Sequence, residues 1–330
     1  MMSGSNVVSV VGHSHSPLWG VTPPRTPSET GARFVEGTER ASGLLSSLDV
    51  TAAVVFGPDH FRFAFYDLMP RFCIGVREVI GAGDYNSPGG QLPVASDLAR
   101  HIHARVCDDG FDPSISLRMG VDHGIAQSYG AMFPALDVPV VAIMINTSAP
   151  PLPSIRRCHE FGRSVGAAVA AFEGQERVAV IGSGGLSHWP PRLEVEEDTP
   201  DERHRDFLLG DRSQLAEREA GRQQRVADMG EANGAVNPDW DEWVLDCIQT
   251  GDLEPLLGLT EEEIERDGGN GGQEIRTWVA AVGAYAGSGA AIAATEFDRV
   301  YEPVPRWITG MGALVGVRTD ITNAAGKGDS

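Results

Sequence analysis

The 330-residue chain holds only four cysteines, Cys73, Cys107, Cys158 and Cys247, and no two of them form a CxxC pair. A disulfide scaffold and a zinc ribbon are both excluded, and the thiols read as reduced core residues of a cytoplasmic protein. Positive charge is scarce too: Lys plus Arg number 26 against 46 Asp plus Glu, a net charge of −20. Such a field repels phosphate backbones and anionic lipid heads, so neither nucleic acid nor a membrane is an expected partner. Residues 138–145 form a long apolar run, but one far short of the roughly 18 residues of a membrane span. The amino terminus carries no basic segment ahead of its brief apolar run, which argues against a secretion signal. A Walker sequence is absent, Gly182-Ser183-Gly184-Gly185-Leu186-Ser187 lacks the third glycine of the dinucleotide fingerprint, and Gly12-His13-Ser14-His15-Ser16 fails the nucleophile elbow at its last position. Nucleotide binding and serine hydrolysis are left without a motif.

What is present is an ordinary globular balance, 42% hydrophobic and 22% charged, with an excess of glycine, 40 residues. That is nearly twice the usual share of roughly 7% and implies many tight turns or close backbone approaches. Short β-branched runs at 7–11, 52–56, 138–145 and 178–181 are apolar throughout rather than alternating, the pattern of strands covered on both faces. Between them, 32–48, 94–106 and 155–172 space their apolar residues as helices do. The expected fold is α/β: a layered central sheet flanked by helices, with the active site at the strand carboxyl ends. The charge-rich segment near 194–233 reads as a helical insertion. Residues 239–248 and 260–266 read as short helices, the second opened by the capping box Thr260-x-x-Glu263. Residues 274–293 read as a longer helix and 307–317 as a terminal strand pair. We expect one catalytic domain over 1–323, with a disordered tail at 324–330.

Three of the nine histidines follow such strands through a glycine. Residues 7–11 run into Gly12-His13-Ser14-His15, 52–56 into Gly57-Pro58-Asp59-His60, and 178–181 into Gly182-Ser183-Gly184-Gly185-Leu186-Ser187-His188. His123 sits in the glycine-flanked loop Asp122-His123-Gly124 before a helical run. Strand carboxyl ends form the ligand crevice of open α/β sheets, so these imidazoles are candidates for a metal or acid–base site. A single histidine after a strand is most simply a cap or a core residue; repetition of the pattern is what lifts these four above that. His101, His103, His159 and His204 lie on helical stretches and read as surface residues, and His13 has a weaker claim than His15. Asp59 and Asp122 each precede a candidate histidine and suit either a ring nitrogen or a turn. Glu274, after the loop Gly268-Gly269-Asn270-Gly271-Gly272, reads by itself as a helix amino-terminal carboxylate.

Taken together, Ser14-His15-Ser16-Pro17-Leu18, Pro58-Asp59-His60, Phe65-Tyr66-Asp67-Leu68-Met69-Pro70, Val121-Asp122-His123-Gly124, the 182–188 segment, Glu274-Ile275-Arg276-Thr277-Trp278 and Pro303-Val304-Pro305-Arg306-Trp307 resemble the type III extradiol ring-cleaving dioxygenases. That family includes protocatechuate 4,5-dioxygenase, and the likeness runs in order through nearly the whole chain. It implies His15, His60 and Glu274 as ligands of Fe(II), and His123 and His188 as the acid–base pair. It further implies meta cleavage of a catechol by O₂, with 2,3-dihydroxyphenylpropionate as the expected substrate and 2,3-dihydroxycinnamate beside it, by a symmetric homo-oligomer. Two imidazoles and one carboxylate leave open positions on ferrous iron, and imidazole exchanges protons near neutral pH. Arg62, Arg71 and Arg276 lie near these residues in sequence and are the cations considered for the substrate carboxylate.

Overall fold

A computed structural model describes residues 6–190, 201–231 and 233–321. The tail expected to be disordered, and part of the charged insertion, lie outside these. Among the described residues nine strands, β1 (Val7–His13), β2 (Ala52–Gly57), β3 (Phe72–Ala82), β4 (Gly89–Leu92), β5 (Ser114–Val121), β6 (Val140–Ile145), β7 (Val178–Ser183), β8 (Thr295–Val304) and β9 (Thr309–Arg318), form one mixed sheet. Helices among the described residues are α1 (Pro17–Val21), α2 (Ala32–Ser47), α3 (Ser96–Asp108), α4 (His123–Met132), α5 (Ile155–Ala170), α6 (Glu202–Leu208), α7 (Leu215–Glu231), α8 (Pro238–Thr250), α9 (Glu254–Leu257), α10 (Glu261–Gly268) and α11 (Ile275–Gly287). None is long and apolar enough to cross a membrane.

The middle of the sheet runs β6-β2-β7-β1 with all pairings parallel, so these four carboxyl ends share one edge. β9 and β8 continue it antiparallel beyond β1, while β3 closes the other side against β6 and β4 and pairs in parallel with β5. Side chains of the central strands alternate between two cores, as a pleat requires. Val10, Val54, Phe56, Val141, Ile143 and Val180 pack under α3, α5, α8 and α11. Val11, Ala53, Val55, Ala142, Ala179 and Ile181 pack under α2 and α4. Continuous apolarity in these runs therefore has the cause read from the sequence, two covered faces.

The expected helix at 274–293 is shorter, ending at Gly287, where Gly289 turns left-handed at φ 90°. In 307–317 Trp307 ends a 3-10 turn and the one strand is β9 from Thr309, whose hairpin partner is β8 upstream rather than a strand within that stretch. The strand expected from residue 138 begins at Val140. Capping at Thr260 and Glu263 is formed in both directions. His101, His103, His159 and His204 are half-buried, not on the surface; His101 Nε2 meets the Ala168 carbonyl at 3.0 Å and His103 Nε2 that of Pro113 at 3.3 Å.

Four of the glycines serve one contact. α5 and α11 cross backbone to backbone: a Cβ on Gly162 would lie 2.0 Å from the Ala280 carbonyl oxygen, and one on Gly166 only 1.8 Å from that of Ala284. Gly283 and Gly287 make the reciprocal approach to His159 and Arg163. α11 is thereby free to lie low on the sheet, its Trp278 ring against Gly12 of β1. A Gly166→Ala variant is expected to lose about 3 kcal/mol, the usual upper range for overpacking, read as a lowered denaturant midpoint with native circular dichroism retained in buffer.

Candidate active site

Each sequence-singled residue leaves a different element, and the parallel edge gathers them. β1 delivers His15, β2 delivers His60, β7 leads through a four-residue loop to His188, β5 ends just before Asp122 and His123, and Glu274 stands on the 3-10 turn that opens α11. The Glu274 carboxylate is their meeting point: Oε2 lies 3.3 Å from His15 Nε2, and Oε1 lies 3.1 Å from His60 Nε2 and 3.7 Å from His188 Nε2. The Gly185 backbone N–H donates to Oε2 at 2.6 Å. α11 is tied to the same loop by Thr277 Oγ1 donating to Ser183 O at 2.8 Å and Trp278 Nε1 to Gly184 O at 2.9 Å. His123 stacks on His60, ring centroids 4.5 Å apart, and stands edge-on to His15.

The far nitrogens decide which way each ring faces. His15 Nδ1 contacts Ser183 Oγ at 3.1 Å, His60 Nδ1 donates to Asp122 Oδ2 at 2.9 Å, His123 Nδ1 to Asp84 Oδ2 at 2.6 Å, and His188 Nδ1 to the Leu186 carbonyl at 2.8 Å. Every Nε2 is thus left for the cleft. Asp122 serves His60 rather than the adjacent His123, and also caps α4 through Gly124 N–H. Asp59 takes the turn role, accepting from the backbones of Arg62, Phe63 and Ala64. His13 points away from the cleft, between Ser128 and Thr38 inside the core. Reading the sequence missed Asp84, which lies 39 residues from its histidine in a turn with no motif.

His188 rests on a second support. Asp241 is fully buried and accepts from Ser187 N–H at 2.7 Å, Ser187 Oγ at 2.9 Å and Tyr301 Oη at 2.7 Å. The glycine loop closes over the ring, so close that a Cβ on Gly271 would lie 2.2 Å from His188 Nε2. Arg276 is buried against Pro153 O and Gln273, Arg62 is held by Asp84 and Glu219, and Arg71 does not line the cleft, so none of the three cations considered reaches the site.

Electrostatically the pocket calls for a cation. Burial alone would raise the Glu274 carboxyl, but His15, His188 and His60 hold it well below the ordinary carboxylate range. Burial likewise opposes ionisation of Asp84, and His123 and Arg62 outweigh it. His15 is pushed down to about 3 by burial, a neutral donor. At His60 burial opposes charge, yet Asp122 and Glu274 on either side outweigh it and push the ring up to about 10. A proton there stands between two buried carboxylates, as a bound cation would. His15 and His60 Nε2 with the Glu274 carboxylate suit a divalent metal with positions left open. His15, His60 and His123 also offer nitrogens within 4.8 Å of one another. These residues line the floor of a cleft of about 220 Å³, walled by Pro17, Tyr85, Thr147, Leu152, Asn270, Thr309 and others.

Residues 9–312 match the family model described as the catalytic LigB subunit of aromatic ring-opening dioxygenase. The chain belongs to this family. LigB enzymes are metal-dependent, and the buried groups that could hold a metal, His15 with His60 and His123 and Asp84 with Asp122 and His123, lie inside the matched span. Proteins from Paraburkholderia phymatum and Burkholderia vietnamiensis, each named 2,3-dihydroxyphenylpropionate/2,3-dihydroxicinnamic acid 1,2-dioxygenase, are 39% identical over 311 and 312 residues, covering 91% of this chain and 94% of theirs. A relative of the same name from Rhodococcus globerulus is 35% identical, covering 93% and 98%. The crystal structure of an uncharacterized protein from Escherichia coli K12 shares the fold, with a TM-score of 0.54 at 14% identity, over 93% of this chain and 99% of that one. A LigB chain of this kind is a ring-cleaving catechol dioxygenase.

The Asp241 carboxyl is raised by burial from 3.8 to about 6, against the pull of its three donors. A carboxyl raised on folding favours the native state most when protonated, so this group withdraws about 2 kcal/mol of stability as pH rises from 4 to 7. The difference in unfolding free energy between Asp241→Asn and the unsubstituted protein should shift towards the variant by that amount over the same window, measured by denaturant titration at each pH.

Proposed function

We propose that the protein is an Fe(II)-dependent extradiol dioxygenase that opens the ring of 2,3-dihydroxyphenylpropionate, and of 2,3-dihydroxycinnamate, placing both atoms of O₂ in a 2-hydroxy-6-oxo-dienedioate product. The observation that carries this reading is the convergence of His15 Nε2 and His60 Nε2 on the two oxygens of Glu274, with two further imidazoles beside them. The names of the relatives supply the substrate class. His15, His60 and Glu274 would hold the iron, which when bound would supply Lewis acidity towards the two catechol oxygens and a relay for electrons passing from the catechol to O₂. The chain's own residues do the rest.

His188, its Nδ1 held by the Leu186 carbonyl, turns Nε2 into the cleft beside Glu274 Oε1 and takes a proton there from a catechol hydroxyl. His123, with Nδ1–H fixed on Asp84, likewise works through Nε2 and returns a proton as the ring opens. Tyr85, edge-on to His123 at 5.0 Å between centroids, and Leu152 give the aromatic ring an apolar wall and limit water around the reacting atoms. Four free thiols, three of them buried, accord with a cytoplasmic enzyme.

Protein reconstituted anaerobically with Fe(II) is expected to consume one O₂ per molecule of 2,3-dihydroxyphenylpropionate, followed with an oxygen electrode and by the yellow product. Full activity after iron is stripped by a chelator would refute the reading.

Substitution separates the roles. His15→Ala, His60→Ala and Glu274→Gln are expected to lose bound iron, measured by metal analysis after gel filtration, because each removes one of three donors. His123→Ala and His188→Ala should keep the iron and lose at least 10²-fold in kcat, the usual worth of a positioned acid or base. Iron lost from His123→Ala and kept by Glu274→Gln would instead mark the His15, His60 and His123 set as the ligands.

A further inference from the structure

We propose that Arg225 of α7 receives the side-chain carboxylate of the substrate, which makes this helix of the charged insertion the specificity element of the enzyme. The inference rests on the reading of the cleft as a site for a carboxylated catechol, and it supplies the cation which that reading otherwise lacks.

Among the described residues lining the cleft, Arg225 is the one that carries a permanent positive charge. The walls differ in sign. Glu261 and Glu265 of α10 and Arg225 and Val226 of α7 all line the cleft, α10 packing on the turn before Glu274 and α7 on α1 and Ile308. A ring whose hydroxyls face His15, His60 and Glu274 would have its anionic tail repelled by the glutamates and drawn to the guanidinium. The planar donor fork of arginine matches the two oxygens of a carboxylate.

Nearby arginines are engaged elsewhere. Arg203 pairs with Glu217, Arg212 with Asp67, and Arg62 with both Asp84 and Glu219. Arg218 lies over the Phe207 ring and bonds Gln214. Arg225 makes no ion pair among the described residues, in a chain with an excess of 20 negative charges.

Its position is also fixed. Val226 packs into the apolar cluster of Leu18, Phe34, Trp307 and Ile308. Gly230 lies so close to α1 that a Cβ there would stand 2.5 Å from Leu18 Cδ1. At the other end Glu219 holds Arg62 at 2.5 Å. α7 is therefore seated on both sides of Arg225, and no hinge is needed to bring the guanidinium to the cleft.

The test compares 2,3-dihydroxyphenylpropionate with 3-propylcatechol, which has the same ring hydroxyls and a tail of the same length without the charge. The unsubstituted enzyme is expected to prefer the acid. In Arg225→Met the ratio of the two kcat/KM values should fall about ten- to a hundredfold, the worth of a charged hydrogen-bonded pair, and in Arg225→Lys by less, since charge stays and the fork goes. Calorimetry with 3-phenylpropionate, which cannot be turned over, should show its Kd raised by at least tenfold in Arg225→Met, while that of 3-phenylpropanol is unmoved. If the unsubstituted enzyme prefers the acid and Arg225→Met keeps the preference, the role of Arg225 is refuted and the substrate reading stands. If the unsubstituted enzyme shows no preference for the acid, the substrate reading fails, and Arg225 fails with it as a carboxylate receiver.

Discussion

The carboxylate of Glu274 is the interaction on which the rest of the structure depends. A buried ionised carboxylate is costly unless its lone pairs are met by donors or cations. Here the donors come from three strands' worth of chain: His15 after β1, His60 after β2, and the Gly185 N–H after β7. Satisfying one side chain therefore fixes the mutual positions of three loops and the start of α11. The same requirement bears on the chemistry, since a buried carboxylate met by two imidazoles is a donor set that suits a divalent cation in place of the proton between them.

That geometry makes demands far from the cleft. Glu274 reaches the strand ends only because α11 lies low across β1 and β7, with Trp278 against Gly12 and the helix backbone near Gly182. A helix so close to the sheet leaves little room for α5, and α5 accommodates it by presenting Gly162 and Gly166 where side chains would otherwise stand. Glycine in a helix interior costs about 1 kcal/mol relative to alanine. Four such residues at one crossing let α11 lie at the depth that places the carboxylate.

The sequence showed this design unevenly, for physical reasons. The central strands were legible because both faces are buried and their composition is apolar throughout; β8 and β5, with one face towards solvent, carry charged and polar residues and gave no such signal. His15, His60 and His188 were legible because the strand–glycine–histidine order reflects a shared edge of the sheet. The partner of each ring was not. Asp122 adjoins His123 in the chain but serves His60, because the turn into α4 aims its side chain back across the strand ends while capping the helix. Neighbours in sequence diverge in direction at a helix start, so adjacency carries little information about who orients whom. Asp84 and Arg225 belong to segments that the composition marks only as a turn and as a solvated helix, and only the folded chain shows what they face.

The two imidazoles assigned to proton transfer are held by unlike partners, and this asymmetry links the cleft to the charged insertion. His188 is held by a backbone carbonyl and a buried loop anchored on Asp241, all within the main body of the fold. His123 is held by Asp84, which contacts Arg62 at 3.1 Å, which in turn contacts Glu219 of α7. Whatever fixes α7 thus also fixes the charge environment behind His123. A helix that lines the cleft with a guanidinium and sets a carboxylate behind His123 connects one wall of the cleft to the imidazole cluster on its floor, through a chain of three ion pairs. The segment that reads in the sequence as a solvated insertion is, in the folded protein, part of the wall that completes the site.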